Sequence, residues 1–596
     1  ELSLPPHILS LCRWVADYYL ARLGEVLRAA LPAGLGKRSP GEVPAASGVQ
    51  PDLTLNPDQA AALREVTRSL DARRPDAFLL YGVTGSGKTE VYLRAARHAV
   101  DTGGKALVLI PEIALSPQMV GRFEARFGSR VALWHSALTP SKRRQVWART
   151  RRGEIDVLVG ARSAIFAPLP DLKLLVVDEE HESSYKQNEN PRYHARDVAL
   201  VRAQAAGAVT LLGSATPSLE TLHNAKRGKY RLLELPSRVA GRNRSRVDLV
   251  PLPTREPGQR AVSYILSDAL RDALNTVQSA GEQAILFLNR RGFYTVVQCE
   301  DCKESVGCGD CDIVLTWHAT SARLVCHYCG KTRPVPQQCP ACGKPTLSVY
   351  RGVGTQRVEH ELARLYPNAR ILRLDTDSTR RRGSLEEALE AFRSGEADIL
   401  LGTQMVAKGL DFPNVTLVGV VNADLQLLLP DFRSAERTFQ LMTQVAGRSG
   451  RGDRPGRVLI QTNHADHYAL VTAAAQDPDA FFQREMEERR EPPYPPWRRL
   501  VNLLFDGKSR QQVVDLAEDT ARFLGRRIRG DKLAVDLLGP APQPLSRLKG
   551  KHRWHLTLRG GGHKALRSLA EAALERTESK PGPVRLSVDV DPVSLL

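Results

Sequence analysis

The chain has 596 residues, too many for one hydrophobic core, and about 100–200 residues per domain suggests roughly three to five domains. Its apolar share of 42% is ordinary, and no stretch approaches the about 18 consecutive apolar residues that would span a membrane. The net charge of +18 favours a polyanionic partner, nucleic acid first, although a chain this rich in Ala, Gly, Pro and Arg also reads as the product of a GC-rich genome.

Residues 1–37 read as a helical start ending in a turn at Pro32-Ala33-Gly34. Arg13 and Asp17 interrupt the first apolar stretch, so no signal peptide is visible, and a cytoplasmic, nucleoid-associated protein is expected. A start at Glu1 instead of Met reads as a fragment or a trimmed chain. Residues 38–53 are rich in Pro, Gly, Ser and Ala and are predicted to be a linker. Over 54–236, apolar runs such as Phe78–Tyr81, Ala106–Ile110 and Leu174–Val177 alternate with helical patterns. That rhythm predicts βαβ units and a parallel sheet. A polar stretch, 237–261, reads as a second linker. A second α/β series occupies 262–296 and 346–475, interrupted by a cysteine-rich block at 297–345. The pattern over 476–596 changes to α+β.

Gly82-Val83-Thr84-Gly85-Ser86-Gly87-Lys88-Thr89 matches G-x-x-x-x-G-K-[ST], follows an apolar run and opens a helix. Glycines let backbone N–H groups approach phosphates, and the helix N-terminus adds positive potential. Lys88 is expected to reach the β and γ phosphates of ATP, and Thr89 to bind Mg²⁺. Leu174-Leu-Val-Val-Asp178-Glu179-Glu180-His181 is an apolar strand ending in carboxylates. Asp178 suits Mg²⁺, and Glu179 suits the task of orienting and deprotonating water. These motifs, with Gly213-Ser214-Ala215-Thr216-Pro217 and Gln444-Val-Ala-Gly447-Arg448-Ser-Gly450-Arg451, stand in the order found in superfamily 2 helicases. In those enzymes a glutamine before the phosphate loop, here Gln59, reads adenine. The D-E-x-H histidine, here His181, links the nucleotide site to the next motif. Phosphoryl transfer concentrates charge on the γ-phosphate oxygens, and guanidinium groups from a second lobe can stabilise it. Arg451 is the candidate arginine finger and Arg448 its support.

Eight of the nine cysteines form four C-x-x-C knuckles, Cys299/Cys302, Cys308/Cys311, Cys326/Cys329 and Cys339/Cys342. Each knuckle offers two thiolates and tetrahedral Zn²⁺ takes two knuckles, so four suit two structural zinc ions. The 14-residue spacing between knuckles two and three is close to a zinc-ribbon spacing. Pairing Cys308, Cys311, Cys326 and Cys329 leaves Cys299, Cys302, Cys339 and Cys342 for the other ion. Redox chemistry is the competing use of C-x-x-C, but four copies so close together argue against it. Cys12, in an apolar helix, reads as an ordinary buried thiol. Trp317, His318 and Tyr328 could stack on bases or simply pack inside the block.

Ile110-Pro-Glu-Ile-Ala-Leu-Ser-Pro-Gln118, Gly160-Ala-Arg-Ser-Ala-Ile-Phe-Ala-Pro168, Asp178-Glu-Glu-His-Glu-Ser-Ser-Tyr-Lys-Gln187, Arg192-Tyr-His-Ala-Arg-Asp197, Leu288-Asn-Arg-Arg-Gly292, Gly402-Thr-Gln-Met-Val-Ala-Lys-Gly409 and Asp431-Phe-Arg-Ser-Ala-Glu-Arg437 join the eight-cysteine block. With these the chain resembles the PriA family of primosomal replication-restart helicases. The resemblance implies two recombinase-like P-loop lobes, a two-zinc insertion in lobe two and an α+β DNA-binding C-terminal domain. It implies 3′→5′ unwinding of DNA at stalled forks and D-loops, loading of the replicative helicase through primosome partners, and recruitment by single-strand-binding protein. Residues 1–37 then read as the remnant of a domain that holds a 3′ DNA end. Residues 38–53 read as a linker in the place where the family carries a winged helix, which is therefore expected to be missing. Tyr185 to His194 resembles the family's aromatic-rich loop, which senses single-stranded DNA and stimulates hydrolysis. Gln404 and Lys408 match its DNA-proximal motif. Arg547, Lys549, Lys551, Arg553 and Trp554 read as a single-strand contact or, in the plainer alternative, as a solvated strand edge. The alternatives are an RNA helicase, against which the nested cysteine block argues, and a fork-binding scaffold with weak or no helicase activity. The scaffold's mark would be decay of Lys88, Asp178, Glu179 or Arg451, and all four are present.

Overall fold

A computed structural model describes residues 4–32, 53–111, 117–136, 138–238, 245–253, 263, 265–288, 295–318, 321–350, 354–374, 384–403, 412–447, 456–579 and 582–595. The chain divides into two units, Glu1–Gly241 with Ser587–Val593, and Arg242–Leu586 with Ser594–Leu596. Among the described residues no helix is long and apolar enough to cross a membrane.

The first unit opens with helices α1 (Pro6–Tyr18) and α2 (Leu23–Ala30). Ile8, Leu11, Cys12 and Val15 recur at helical spacing and are the buried face of α1. Helix α3 (Pro57–Asp71) starts from a full capping box: Gln59 N donates to Asn56 Oδ1 and Asn56 N to Gln59 Oε1. Then come β1 (Ala77–Gly82), α4 (Lys88–Asp101), β2 (Lys105–Leu109), α5 (Pro117–Phe127), β3 (Val131–Trp134), α6 (Pro140–Arg151), β4 (Val157–Gly160), β5 (Leu172–Asp178), α7 (Ala195–Ala206), β6 (Val209–Ser214), α8 (Leu219–Lys226) and β7 (Arg231–Leu235). The strands form one sheet in the order β3-β4-β2-β5-β6-β1-β7, parallel at every pairing. Because both faces are covered, β4 and β6 are buried along their whole length. The register pairs Asp178 with Gly213 and Tyr81 with Ser214. The motif-bearing strand ends β1, β5 and β6 therefore finish side by side.

In the second unit, β8 (Arg246–Val250), α9 (Asp268–Ser279) and β9 (Gln283–Phe287) precede the cysteine block. That block carries β10 (Val296–Cys299), β11 (Thr316–His318), β12 (Arg323–Val325), β13 (Thr332–Arg333) and β14 (Leu347–Tyr350). The α/β series resumes with α10 (Thr355–Leu365), β15 (Ile371–Leu374), α11 (Ser384–Arg393), β16 (Ile399–Gly402), β17 (Val415–Val420), α12 (Asp424–Leu427), α13 (Ser434–Ala446) and β18 (Arg457–Gln461). The second sheet runs β15-β16-β9-β17-β18-β8 and is also parallel. Strand β8 lies in the stretch expected as a linker. Five residues pair in register with Arg457–Gln461, and at a sheet edge a strand needs only one partner and partial cover, so its mixed polarity does not prevent pairing. The insertion is tied at its base, where β10 and β14 pair antiparallel from Val296/Tyr350 to Cys299/Leu347.

Helices α14 (Tyr468–Ala475) and α15 (Pro478–Glu488) lead to β19 (Arg499–Gly507), α16 (Arg510–Gly530), β20 (Val535–Leu548), β21 (Lys551–Gly560) and α17 (His563–Glu578). Strands β20-β21-β19 are antiparallel. Arg489, just past α15, is 2% exposed and ion-pairs with Glu436 at 2.6 Å and Glu485 at 2.7 Å, both also buried. Its NH1 donates to Pro495 O at 3.0 Å, and Tyr468 OH donates to Glu485 Oε2 at 2.7 Å. Removing one member of such a network leaves uncompensated charge in a low dielectric. Arg489→Ala is expected to lower the unfolding free energy of this unit by about 3–5 kcal/mol in urea titrations. A loss under about 1 kcal/mol, the scale of a solvated surface pair, would contradict the network's structural role.

Candidate functional site: nucleotide cleft and zinc module

The phosphate loop leaves β1 and enters α4. Gly82 is compelled by close approach: a Cβ there would lie 2.5 Å from Ser86 Oγ and 2.9 Å from Leu235 Cβ. Gly87 caps α4 at φ 80°, in the left-handed region that favours glycine. Lys88 Nζ donates to Gly82 O at 2.7 Å, so the amine lies over the loop. Ser86 Oγ is buried without a hydrogen-bond partner, as expected of a polar cradle shaped for phosphate oxygens. Gln59 is 3% exposed and joins α3 to this loop, its Nε2 donating to Ser86 O at 2.8 Å while Oε1 takes Asn56 N. An amide carries two N–H donors and two lone pairs, so one of each stays available for a base. Val83, Thr84, Gly85 and Thr89 complete the loop and the first turn of α4.

Asp178 ends β5 on the same side. Burial, and next the charge of Glu179, push its carboxyl up to about 6, partly offset by Lys88. Tyr92 OH, from α4, donates to Asp178 Oδ1 at 3.0 Å. Glu179 adopts φ 46°, an uncommon conformation for a side-chain-bearing residue, and its Oε2 is buried without a hydrogen-bond partner. His181 Nδ1 lies 2.7 Å from Ser214 Oγ, which also accepts from Thr216 N at 3.0 Å. Residues 178–181 thus touch the segment after β6, as the D-E-x-H motif leads one to expect. Sequence reasoning did not single out Tyr92. Its signal, an aromatic one turn beyond Lys88, becomes specific only when β5 is seen beside the helix.

The loop from Tyr185 to His194 keeps its aromatics inside. Tyr185 is buried, its hydroxyl 2.7 Å from Asp178 O and 3.0 Å from Leu109 O. Tyr193 is buried edge-on against Phe166 at 5.1 Å. An antiparallel bridge between Lys186 and His194 closes the loop, leaving Asn188 and Glu189 exposed at its tip. Lys186 Nζ donates to Val590 O at 2.6 Å and pairs with Asp589 at 2.8 Å.

Gln444 and Gly447 sit at the end of α13, with Gln444 buried. Arg448, Arg451, Gln404 and Lys408 lie outside the described residues.

The eight knuckle cysteines form two groups, Cys299/Cys302/Cys339/Cys342 and Cys308/Cys311/Cys326/Cys329, each with its sulfurs within 4.8 Å of one another. Sγ–Sγ separations are 3.7 Å for Cys299/Cys342, 3.6 Å for Cys302/Cys339 and 3.8 Å for Cys308/Cys329. Four thiolates at about 2.3 Å from a tetrahedral zinc would stand about 3.8 Å apart, whereas a disulfide needs about 2.05 Å. All four knuckles share one turn. The N–H of Lys303, Asp312, Gly330 and Gly343 donates to the carbonyl four residues back, on the leading cysteine, and each donor residue has positive φ. Tyr328 is buried, and its hydroxyl accepts from Phe432 N at 3.1 Å, so it packs inside and offers no base a surface. His327, beside it, donates from Nδ1 to Pro542 O at 2.9 Å, and His555 Nε2 donates to His327 O at 2.5 Å. These bonds seat the inner zinc group on β20 and β21.

Trp554 in β21 is also buried, with the Arg510 guanidinium 5.6 Å over its ring. The exposed apolar side chains of that hairpin are Leu545 and Leu548, beside Arg547 and Lys549.

Two parallel sheets, the first bearing helicase motifs at its strand ends, with a Cys-rich zinc-binding insertion and an antiparallel C-terminal domain, define a superfamily 2 helicase of two recombinase-like lobes. Family matches follow the same order. Residues 56–225 match the DEAD/DEAH box helicase domain and 350–453 the helicase conserved C-terminal domain. Residues 1–32 match the PriA 3′ DNA-binding domain, 308–334 the Cys-rich region of PriA DNA helicase and 490–593 the C-terminal domain of primosomal protein N. The chain is 45% identical to the replication restart protein PriA of Bacillus subtilis over 546 residues, 91% of this chain and 67% of that one. Against PriA of Treponema pallidum it is 40% identical over 99% of this chain and 87% of the other. Against PriA of Rickettsia felis it is 34% identical over 100% and 90%. The chain belongs to the PriA family of replication restart proteins.

Elemental analysis of freshly purified, reduced protein should give two zinc per chain, falling to one in Cys308→Ser, where the inner group loses a ligand. Zinc near zero in the wild-type chain would refute both sites.

Proposed function

We propose that the chain is an ATP-dependent 3′→5′ DNA helicase that acts at stalled replication forks and D-loops and initiates restart by primosome assembly and helicase loading. The observation that carries the reading is that Asp178 and Glu179 at the end of β5 and the Lys88 loop after β1 lie on the same side of the sheet, with only β6 between them. When bound, ATP with Mg²⁺ supplies the phosphoanhydride whose cleavage drives the motor. Lys88 and the loop amides of Gly82–Thr89 would bind the phosphates, and Gln59 would face adenine with its remaining N–H and lone pair. Thr89 and Asp178 offer the hydroxyl and carboxylate oxygens that a hard cation prefers. Metal binding would also hold Asp178 ionised against its burial. Glu179 would accept the proton of the attacking water, and Arg448 and Arg451 would stabilise charge developing on the γ-phosphate. The two zinc ions would be structural, because each four-cysteine set leaves no open position.

The net charge, the basic β20–β21 hairpin and the match of residues 1–32 to a 3′ DNA-binding domain support a DNA substrate. Recruitment by single-strand-binding protein and handover to primosome and loading proteins come from the family's restart role. Phosphate release should rise on adding single-stranded DNA. Lys88→Ala and Glu179→Gln should each lower kcat by about 10²–10³-fold, the usual cost of removing one preorganised group. Equal release from wild type and Lys88→Ala would favour the fork-binding scaffold.

A further inference from the structure

Glu180, the second glutamate of the acidic strand tip, has no part in the chemistry above, yet it is the more deeply buried of the two, at 0% exposure. Both of its oxygens are fully engaged. Oε1 accepts from Ser218 N at 2.7 Å. Oε2 accepts from Thr221 Oγ1 at 2.7 Å, Arg196 NH1 at 3.0 Å and Ser218 Oγ at 3.1 Å. Its backbone N–H donates to Gly213 O at 3.0 Å. A buried carboxylate is tolerated only when its charge is compensated. Here Arg196 does so, helped by the N-terminal end of α8, where Ser218 is the N-cap. Three segments are thereby joined: the strand-tip acids, the Gly213–Pro217 motif running into α8, and the first turn of α7.

Arg196 is two residues beyond His194, which closes the loop by its bridge to Lys186. At the other end of the same loop, the Tyr185 hydroxyl lies 2.7 Å from Asp178 O. The two ends of one loop thus hold residues 178 and 180. The residue between them is Glu179, in the left-handed conformation and with no hydrogen bond to its Oε2. Apart from His181 Nδ1, 3.7 Å from Oε2, the Glu179 carboxylate is placed by its backbone, and the residues on either side of it are gripped by the two ends of one loop.

We propose that Glu180 is a positioning residue: through Arg196 it transmits displacement of the Tyr185–His194 loop to the Glu179 carboxylate, and so makes hydrolysis depend on what the loop touches. The inference rests on the proposed DNA-stimulated hydrolysis. It needs a carboxylate, because a glutamine retains an oxygen for Ser218 and Thr221 but removes one of the two charges that Arg196 bridges, Glu180 at NH1 and Asp197 at Nε, 2.9 Å away. It also needs a guanidinium, because a lysine keeps the charge and loses the directed N–H of Arg196.

The test uses the full chain and three variants, Glu180→Gln, Arg196→Lys and the double variant. It measures kcat and KM for ATP with and without saturating oligo(dT), affinity for a fluorescent non-hydrolysable ATP analogue, and the melting temperature. The single variants should bind the analogue with wild-type affinity to within about twofold, while the ratio of DNA-stimulated to basal kcat falls about tenfold, the scale of a coupling between sites. The double variant should be no worse than either single, as for two members of one link. The proposal is overturned if the single variants keep the wild-type stimulation ratio, if their losses multiply in the double variant, or if analogue binding falls in step with stimulation. A wild-type chain whose hydrolysis DNA does not raise would instead overturn the functional reading, and this inference with it.

Discussion

Register in a parallel sheet brings the ends of neighbouring strands together, and lobe one is arranged around that constraint. With β6 between β5 and β1, Asp178 sits opposite Gly213 while Ser214 sits opposite Tyr81. The groups proposed to serve phosphate, metal and water, from distant parts of the chain, meet without any of them needing a long reach. The arrangement also explains the burial of Asp178. A carboxylate at the tip of a core strand is partly desolvated, and desolvation favours its neutral form until a cation is bound. The same strand ends hold the Glu180 carboxylate, which four donors and lack of exposure fix in place beside the proposed base.

The second unit depends on a different constraint. A block of about 50 residues buries too little apolar surface to hold itself without staples. Here the eight thiols are placed at the spacing of two tetrahedral metal sites, and four identical knuckle turns present them. The β10–β14 ladder closes the block at its base, and His327 and Tyr328 tie its inner site to the C-terminal sheet and to Phe432. The module is thus braced at both its base and its inner knuckle.

What was legible in the sequence was contiguous. The phosphate loop, the acidic strand tip and the cysteine knuckles each carry their chemistry within a few residues, and the apolar runs around them announced the parallel sheets. Contacts between residues far apart in sequence were less legible. The Glu180–Arg196 pair spans two motifs that were both visible, yet nothing in either says that their side chains meet. Tyr328 could have stacked on bases or packed inside, and Trp554 read with its basic neighbours as a single-strand contact, because sequence composition does not distinguish an aromatic on the inner face of a strand or knuckle from one on the outer face. Strand β8 was hidden in an arginine-rich stretch because an edge strand needs no continuous apolar run. The resemblance of the 185–194 loop to an aromatic-rich loop did not show that its tyrosines fasten it to the ends of β2 and β5 and to Phe166.

The central claim is that this ATP site drives directional separation of DNA strands. The most direct measurement is ATP-dependent strand displacement on two partial duplexes of identical sequence, one with a 3′ single-stranded tail and one with a 5′ tail. Displacement of the 3′-tailed substrate with little or none of the 5′-tailed one is predicted. Displacement of neither, despite active hydrolysis, or a preference for the 5′ tail, would contradict it.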